Sequence, residues 1–388
     1  MPRLLIITEY QEIFINETIK GIKRYVQERN VPNCTICTLS QEYKDKIGIT
    51  GLLEWCKSWN VDFVMGSFKK EENLEILTSE GIVVIANNIG EEIDGVPMIR
   101  ADARANGRFA ARFFMDKKYT NFGLYTHTSD KTGQTRFTGF IEELRKAGLE
   151  DRCSVHLFDE DNDFRVELSG MKDWLSSLPK PVAILTGKDI YGNNLIELCN
   201  VFGIGVPTEV AILGSWNDER ICNMKINSLS SFSMDVEDVG WKIGEMLHRC
   251  IMQPGYKGYD IMMKPATVVE RVSTASVAST DPDIQKVVRF VQDNIRNKIT
   301  VIDVMKEVAV SRRLMEKKFK AFMGKGIYEY ILDSKMKLFS EIVRNTSEPI
   351  QNIAMTFGDN DAKNLSRKFK EIHGCSPAQW RAKNRMGN

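Results

Sequence analysis

The sequence predicts two α/β lobes built on parallel, doubly wound sheets, followed by an all-α domain with two helix-turn-helix units. Three observations lead to this fold class. Short apolar runs alternate with amphipathic segments through the first 270 residues, a small polar stretch without period follows, and a basic helical pattern then occurs twice. Alternating strand and helix patterns are typical of parallel sheets with helices on both faces. We therefore predict domains at residues 1–272 and 282–388, with a linker at 273–281.

The predicted strands of the first domain are short apolar runs bounded by turn residues, a pattern typical of strands buried in a parallel sheet. They lie at residues 4–7, 61–65, 82–86, 122–125, 182–185 and 210–213, and a last strand pattern covers 261–269. Segments between them have the apolar spacing of amphipathic helices, clearest at 13–26, 106–115, 136–147, 192–202 and 235–251. So many strands, about ten, exceed the usual size of one sheet, which favours two lobes.

The stretch at 270–280 is rich in Ser, Thr and Ala and has no helical or strand period, so it predicts a linker. Asp281 and Pro282 then have the residue types of a helix N-cap and of a first helical position. The rest of the chain is helical in pattern. The predicted helices are 282–296, 301–308, 312–323, 327–344, 349–357, 361–373 and 377–383.

Charge is divided unevenly along the chain. Residues 281–388 hold 21 Lys and Arg against 13 Asp and Glu, a net charge of +8. The first 280 residues hold the other 32 Lys and Arg and the other 39 Asp and Glu, a net charge of −7. A basic module joined to an acidic body is typical of a DNA-binding domain attached to a domain that does not touch DNA.

Two predicted helices, which follow Ser311 and Asn360, share one pattern fifty residues apart. Each begins after a turn and has an apolar face for packing and a basic face opposite it. A single basic face is usually a solvated surface, but two equivalent faces favour double-stranded DNA as the partner. The apolar faces consist of Met315, Phe319 and Phe322 in the first helix and of Leu365, Phe369 and Ile372 in the second.

The basic faces supply the candidate DNA contacts. Arg and Lys suit guanine edges and phosphates, and Asn suits adenine. Residues early in a recognition helix usually read bases, while later ones hold phosphates. The predicted base-reading residues are Arg312, Arg313, Lys317, Lys363, Asn364 and Arg367, and the predicted phosphate contacts are Lys320, Lys325 and Lys370.

Motifs around these helices resemble the AraC/XylS family of transcription regulators. The resemblance rests on Ser311-Arg312, Lys317-Lys318-Phe319-Lys320 and Gly324, and on Lys368-Phe369-Lys370, Gly374, Ser376-Pro377 and Trp380-Arg381. The chain departs from the family at Asp359, where an aromatic residue is usual, and at Leu365, where Phe is usual. The resemblance implies two helix-turn-helix units joined by a long helix near 327–343, with their basic helices in successive major grooves, about 34 Å apart.

Candidate ligand residues follow the predicted strands. A cleft between two α/β lobes suits a small polar ligand, and an aromatic side chain can stack on the apolar face of a sugar. Each candidate also has a structural interpretation: Asp102 and Asp189 as helix caps, Arg136 in an ion pair, Phe14 and Trp216 in packing. The candidates are Phe14, Asp102, Arg136, Asp189, Trp216 and Asn217.

The body also resembles a known family, the LacI/GalR sugar-binding domain, a relative of periplasmic sugar-binding proteins. The resemblance rests on Arg136-Phe137-Thr138-Gly139-Phe140, on Asp102 ahead of Gly107, on residues 208–214 and on Asn217. It implies that Arg136 and Asp102 bind sugar hydroxyls and that the effector is a monosaccharide, such as xylose or another pentose. Two positions, Ile15 and Trp216, depart from the acidic residues expected there.

These observations lead to one functional hypothesis. The chain is expected to be a sugar-responsive transcription regulator, an activator by analogy with the family, of a carbohydrate-utilisation operon. The resemblance implies a homodimer that works with RNA polymerase. We expect a cytoplasmic protein without membrane segments, since no apolar run approaches the roughly 20 residues that a span needs. No cofactor and no metal are predicted.

Two alternatives belong to other classes of protein. The first is a sugar- or metabolite-modifying enzyme fused to a DNA-binding tail, but G-x-G-x-x-G and G-x-S-x-G motifs are absent and the four His have no metal-binding spacing. The second is a binding module whose tail contacts only protein, which the +8 tail disfavours. Cys34 and Cys37 form the single C-x-x-C, and their spacing puts them on opposite faces of a strand.

Overall fold

The computed structural model describes residues 2–8, 12–31, 34–87, 93, 95–159, 164–224, 228–253, 255–346, 348–357 and 362–385, with backbone alone at 12–13, 164, 341, 344–345, 362–364 and 383–385. The chain divides into two compact units. The first unit holds Met1–Phe109, Thr128–Glu143 and Phe232–Ala266. The second holds Ala110–His127, Leu144–Ser231 and Thr267–Asn388.

Twelve strands occur in the described residues, and parallel pairing dominates among them. The strands are β1 (Arg3–Thr8), β2 (Thr35–Ser40), β3 (Phe63–Gly66), β4 (Val83–Ala86), β5 (Ile99–Ala101), β6 (Phe122–His127), β7 (Cys153–Phe158), β8 (Val182–Thr186), β9 (Val210–Ser215), β10 (Ser230–Met234), β11 (Ile261–Met263) and β12 (Pro265–Val269).

Sixteen α-helices are described alongside the strands. They are α1 (Glu12–Arg29), α2 (Gln41–Ser58), α3 (Glu75–Thr78), α4 (Ala103–Asp116), α5 (Lys131–Lys146), α6 (Phe164–Ser177), α7 (Asp189–Val201), α8 (Glu219–Cys222), α9 (Val236–Met252), α10 (Pro282–Asp293), α11 (Val301–Met305), α12 (Arg312–Met323), α13 (Ile327–Asn345), α14 (Ile350–Met355), α15 (Ala362–His373) and α16 (Pro377–Arg385).

The first unit is built on a four-stranded sheet in the order β2-β1-β3-β4. All three pairings are parallel, with Leu4 opposite Ile36 and Phe63. The inner strand β1 is buried along most of its length, as expected for an apolar run in the middle of a parallel sheet. A further parallel pair joins β5 and β11.

Helices α1 and α9 of the first unit meet backbone to backbone. A Cβ atom on Gly21 would lie 2.0 Å from the Glu237 carbonyl oxygen, and one on Gly240 would lie 2.1 Å from the Thr18 carbonyl oxygen. Only glycine permits such an approach, so these two positions fix how closely the helices pack. An ion pair between Arg24 and Glu237 crosses the same contact.

The second unit contains most of a six-stranded sheet in the order β12-β10-β9-β8-β6-β7. The predicted apolar runs at 122–125, 182–185 and 210–213 are its strands β6, β8 and β9, and β8 is fully buried. Strand β7, at the edge, was not among the predicted strands, because its exposed Val155 and Leu157 alternate with polar and partly buried neighbours.

The polar stretch after β12 packs against the second unit. Ser273 and Thr274 lie in a short 3-10 turn and are fully buried, and Val277 is 2% exposed. Ser273 Oγ donates to the Ile212 carbonyl oxygen at 2.6 Å and accepts from the Ser230 N–H at 2.8 Å. The absence of period in this segment therefore reflects side chains that satisfy backbone groups of β9 and β10.

The C-terminal helices form two small bundles that share α13. The first bundle has Val287, Val304 and Phe319 in its core and includes the start of α13 at Ile327 and Ile331. The second bundle has Phe339, Phe357 and Phe369 in its core, where Phe339 and Val343 come from the later turns of α13. Each bundle thus has its own apolar core, and one helix of 19 residues, about 28 Å long, joins them.

Candidate nucleic-acid interface and ligand site

The first basic helix, α12, has the ends and the faces that its sequence predicts. Ser311 caps it by accepting from the Leu314 N–H at 3.4 Å, and Gly324, with φ of 78°, ends it in the left-handed conformation. Met315 and Phe319 are fully buried. On the opposite side, Arg312, Arg313, Lys317 and Lys320 are exposed.

The short helix α11 precedes α12, and the two helices together form a helix-turn-helix. Thr300 and Asp303 cap α11 reciprocally: the Asp303 N–H donates to Thr300 Oγ1, and the Thr300 N–H donates to Asp303 Oδ2 at 3.0 Å. Lys306, with Thr300, lowers the pKa of the exposed Asp303 carboxyl to about 2. The cap is therefore ionised and intact at any physiological pH.

Two lysines of the first helix-turn-helix, Lys318 and Lys325, already form ion pairs. Lys318 lies 2.9 Å from Asp281 and 3.4 Å from Asp283, which ties α12 to the start of α10, and the bond to Asp281 above all raises the pKa of Lys318. Lys325, a predicted phosphate contact, pairs with Asp333 at 2.6 Å. A phosphate would have to compete with that carboxylate for Lys325.

The second basic helix, α15, follows the short helix α14 and repeats the arrangement of α12. Leu365 and Phe369 are buried at 3% and 0% exposure, and Arg367 and Lys370 are exposed. The side chains of Lys363 and Asn364, and the departure at Asp359, lie outside the described residues. Gly374 ends the helix with φ of 70°.

The predicted apolar face of α15 is wrong at one position. Ile372 is 48% exposed. The core is instead extended by His373, whose ring packs 4.3 Å from Phe369 and 4.5 Å from Trp380 and bonds Ser340 Oγ at 3.0 Å. Positions 365, 369 and 373 thus face α13 and α16, and position 372 lies on the flank.

In the first unit the predicted ligand residues belong to three helices: Phe14 to α1, Asp102 to the N-terminal end of α4, and Arg136 to α5. Asp102 caps α4, because its Oδ1 accepts from the Ala105 N–H at 2.8 Å, while Oδ2 lies 4.0 Å from Arg108. Arg136 of α5 is 1% exposed, and its guanidinium lies 5.4 Å from the centre of the Phe232 ring. Phe14, at 8% exposure, is buried in α1.

Close packing of α4 on α5 fixes the backbone that carries Arg136. A Cβ on Gly107 would lie 1.9 Å from the Arg136 carbonyl oxygen, and one on Gly139 would lie 2.1 Å from the Arg104 carbonyl oxygen. These two glycines, which also carry the sequence resemblance, are required by that contact. They hold the Arg136 backbone against the first turns of the helix that Asp102 caps.

In the second unit the predicted residues meet at one loop, residues 214–218, which we call the ligand loop. Trp216 and Asn217 have φ of 89° and 54°, in the left-handed region, which is unfavourable for Trp and which Asn adopts more readily. Ser231 holds the loop by accepting from the Asn217 N–H at 3.0 Å. Strained backbone of this kind occurs where surrounding bonds enforce it, often at binding sites.

Asp189 at the start of α7 is the buried anchor of the ligand loop. Its carboxylate accepts from the Asp218 N–H at 2.8 Å and from Ser231 Oγ at 2.6 Å. Burial raises the pKa of Asp189 to about 6, although these donors partly offset it. A Cβ on Gly214 would lie 2.2 Å from Asp189 Oδ1, so glycine is required there.

Sequence reasoning missed three residues that shape these sites, namely Ser231, Phe232 and Arg271. Arg271 donates from Nη2 to Asn217 Oδ1 at 2.8 Å, yet it lies in the polar stretch at 270–280, just before the predicted linker. Ser231 and Phe232 lie in β10, a strand too short and too polar to be recognised as a buried run. Only Arg271 could have been found from the sequence, because it is the one cation, beside Glu270, in the otherwise uncharged stretch at 270–280.

Among the described residues, no group of three or more His, Cys, Asp or Glu is placed to hold a metal ion. Burial raises the pKa of the Cys34 thiol, and Cys34 and Cys37 are both partly buried and outside any disulfide bond. Within the part of the chain that the structure describes, no helix is both long and apolar enough to cross a bilayer.

Comparisons with known proteins agree with this architecture. The model of a periplasmic binding protein-like domain matches residues 111–274, and the model of a helix-turn-helix domain matches residues 304–383. The chain joins these two domains. The first match ends within the buried 3-10 turn at Thr274, and the second covers both basic helices, α12 and α15.

Two xylose operon regulatory proteins and one solved structure match over most of the chain. The xylose operon regulatory protein of Haemophilus influenzae is 24% identical over 83% of this chain and 85% of its own length. That of Escherichia coli K12 is 21% identical over 98% and 96%. A solved xylose-binding transcription activator is 19% identical and covers 98% of each chain with a TM-score of 0.58, which shows a shared fold. The predicted fold class and the predicted combination of domains are confirmed.

Proposed function

We propose that the protein is a sugar-responsive transcription regulator whose helix-turn-helix domain binds double-stranded DNA through α12 and α15. The observation that carries the proposal is the pair of exposed basic faces on two separate bundles that a single helix, α13, joins. At about 28 Å, α13 is near the 34 Å that separate successive major grooves on one side of a duplex. We infer that α12 enters one groove and that α15 enters the next.

The exposed cations divide by position along these helices. Arg312, Arg313 and Lys317 lie in the first turns of α12, where recognition helices meet base edges. Lys320 and Lys370 lie later, where phosphates are the usual partners. We extend base reading to Lys363, Asn364 and Arg367 in α15 because they occupy the equivalent early turns.

For the periplasmic binding protein-like domain we propose a monosaccharide ligand, with xylose as the first candidate because two relatives are named for the xylose operon. Two sets of groups support a polar ligand: Asp102 with the buried Arg136, and Trp216 with Asn217 on the strained ligand loop. A carboxylate, a guanidinium and an amide can bond sugar hydroxyls, and an indole ring can cover an apolar sugar face.

We also propose that the regulator acts in the cytoplasm as a homodimer, that it activates transcription together with RNA polymerase, and that it turns over no substrate. The named relatives include a transcription activator, which supports the sign of regulation. Domain boundaries at 1–272 and 282–388, with 273–281 between them, complete the proposal. Release of product from any sugar by the purified protein would favour an enzyme instead.

Ligand binding is tested by thermal unfolding of the full-length protein with D-xylose, L-arabinose, D-ribose and D-glucose. A ligand present at 100 times its Kd stabilises the folded state by roughly 2.7 kcal/mol, which raises the melting temperature measurably. Arg136→Lys keeps the charge but loses the planar fork, and we expect it to abolish the shift. Arg145→Lys is the matched control, because Arg145 pairs with Glu150 on the surface.

DNA binding is tested by fluorescence anisotropy on duplexes that the protein selects from a random library. A plot of log K for DNA binding against log salt concentration has a negative slope, and each lost phosphate contact should make that slope less steep by about 0.9. We expect Lys320→Ala and Lys370→Ala to have this effect and Lys57→Ala, a lysine paired with Glu80 in the first unit, to have none. Affinity that does not depend on salt would contradict the assignment.

A further inference from the structure

Arg271 makes an unusual number of bonds for a residue in a polar connecting segment. Its guanidinium donates to three acceptors: Asn217 Oδ1 at 2.8 Å, Asn223 Oδ1 at 2.9 Å and the Leu229 carbonyl oxygen at 2.9 Å. Its own N–H donates to Ser230 Oγ at 2.7 Å. One side chain thus joins the ligand loop, the end of α8 and the start of β10.

The bond to Asn217 fixes the residue that follows the strained Trp216. A left-handed Trp persists only where neighbouring bonds impose that conformation, whereas Asn adopts it more readily. Arg271 holds the Asn217 side chain, while Ser231 and Asp189 hold the N–H groups of Asn217 and Asp218. Removal of Arg271 leaves the side chain of Asn217 without its fixed donor.

The preceding residue, Glu270, makes contacts with the helical part of the chain. Its carboxylate accepts from Lys117 Nζ at 2.7 Å and lies 3.7 Å from Nζ of Lys337, which belongs to α13. Both ammonium groups also lie over the Phe113 ring, 5.4 Å and 5.7 Å from its centre. Burial opposes ionisation of Glu270, but the two lysines outweigh it and lower the pKa of this carboxyl.

Lys117 connects the same contact to the buried connecting segment. Its Nζ also donates to the Thr274 carbonyl oxygen at 2.9 Å, and its carbonyl oxygen accepts from the Ala278 N–H at 3.0 Å. These contacts bring together α4, the end of β12 and α13. We call the four residues that make them the junction: Phe113, Lys117, Glu270 and Lys337. All four residues belong to the second unit.

Glu270 and Arg271 directly follow β12, and in extended backbone successive side chains point to opposite sides. We propose that Arg271 is a positioning residue for the ligand loop and that, through Glu270 and Lys337, it passes the state of this loop to the DNA-binding helices. This inference rests on the proposed ligand site. A change at Asn217 shifts Arg271, the adjacent Glu270 follows, and the contact with α13 is altered.

The test follows the loop itself, without ligand, in the full-length protein labelled with 5-fluorotryptophan. The ¹⁹F resonance of Trp216 is assigned by its loss in Trp216→Phe. We expect Arg271→Lys and Arg271→Gln to shift or broaden this resonance, because neither replacement can reach three acceptors in one plane. Lys337→Met, in the helical domain, should also shift it, and the control Arg145→Gln should leave it in place.

An unchanged Trp216 resonance in the Arg271 variants would overturn the positioning role. A shift in those variants but none in Lys337→Met would overturn the transmission to α13. Melting curves of each variant establish that it is folded, and Arg271→Lys retains the charge if Arg271→Gln fails to fold.

Titration with D-xylose and with the selected duplex separates this inference from the proposed function. We expect Arg271→Lys to weaken D-xylose binding by about tenfold, the effect of one well-placed hydrogen bond. Lys337→Met should still bind D-xylose but lose the effect of D-xylose on DNA affinity. If the wild type binds no sugar while the ¹⁹F shifts occur, the ligand assignment is wrong and the link from loop to helix stands.

Discussion

The two bundles should fail independently, and Phe369→Ala is the sharpest way to show it. Phe369 is fully buried and packs edge-to-face on Phe339 at 5.5 Å and on Trp380 at 5.8 Å. A buried Phe→Ala change costs about 3–5 kcal/mol. A core as small as that of the second bundle rarely gives a free energy of unfolding above about 3–5 kcal/mol. We therefore expect the second bundle of Phe369→Ala to be unfolded at 25 °C. The first bundle keeps its own core around Phe319 and should remain folded.

Hydrogen exchange read by mass spectrometry resolves the two bundles in the full-length protein. In Phe369→Ala, peptides from α15 and α16 should lose protection while peptides from α12 keep theirs. Ile372→Ala is the matched control on the same helix, since Ile372 is 48% exposed and its loss should change stability by no more than about 0.5 kcal/mol. Equal loss of protection in α12 and α15 would refute the division into two cores.

Three further outcomes are expected. The folded-state pKa of Asp189 is raised from 3.8 to about 6. The wild type should therefore lose stability relative to Asp189→Asn as pH rises from about 4 to about 6, by roughly 3 kcal/mol in total. Parallel pH profiles of the two proteins in chemical denaturation would count against Asp189 as the buried anchor. Gly214→Ala should destabilise the protein by about 1–3 kcal/mol in melting curves and weaken sugar binding in titrations. The control is Gly170→Ala on α6, where a Cβ atom would meet open space, and it should leave stability unchanged or raised and sugar binding unchanged. Lys318→Ala should lower the melting temperature yet leave the salt slope of DNA binding unchanged, because its partners are Asp281 and Asp283; a shallower slope would place Lys318 on DNA.

The sequence was sufficient to predict elements that follow one clear period. Buried parallel strands such as β8 read as unbroken apolar runs, and α12 was predicted at both ends because Ser311 and Gly324 are unambiguous caps. The edge strand β7 was missed because one of its faces is exposed. Helix α2 was missed as well, since Gly48 interrupts it with φ of 64° and breaks its apolar spacing.

The site was less predictable than the fold. Asp189, Trp216 and Asn217 could be placed at strand ends, but their mutual arrangement depends on Ser231 and Arg271, which come from β10 and from the polar segment after β12. Those contacts join residues 14 to 54 positions apart and have no local pattern. The same segment looked like a linker because its Ser and Thr side chains serve as backbone partners.

The central claim is that one chain couples sugar binding to two DNA-binding helices, and titration of the selected duplex with and without D-xylose tests it directly. A typical coupling free energy of about 1–3 kcal/mol changes DNA affinity by roughly 5- to 150-fold. We expect such a change in the wild type and none in Arg136→Lys. An identical DNA affinity in the presence and absence of every sugar that raises the melting temperature would contradict the account.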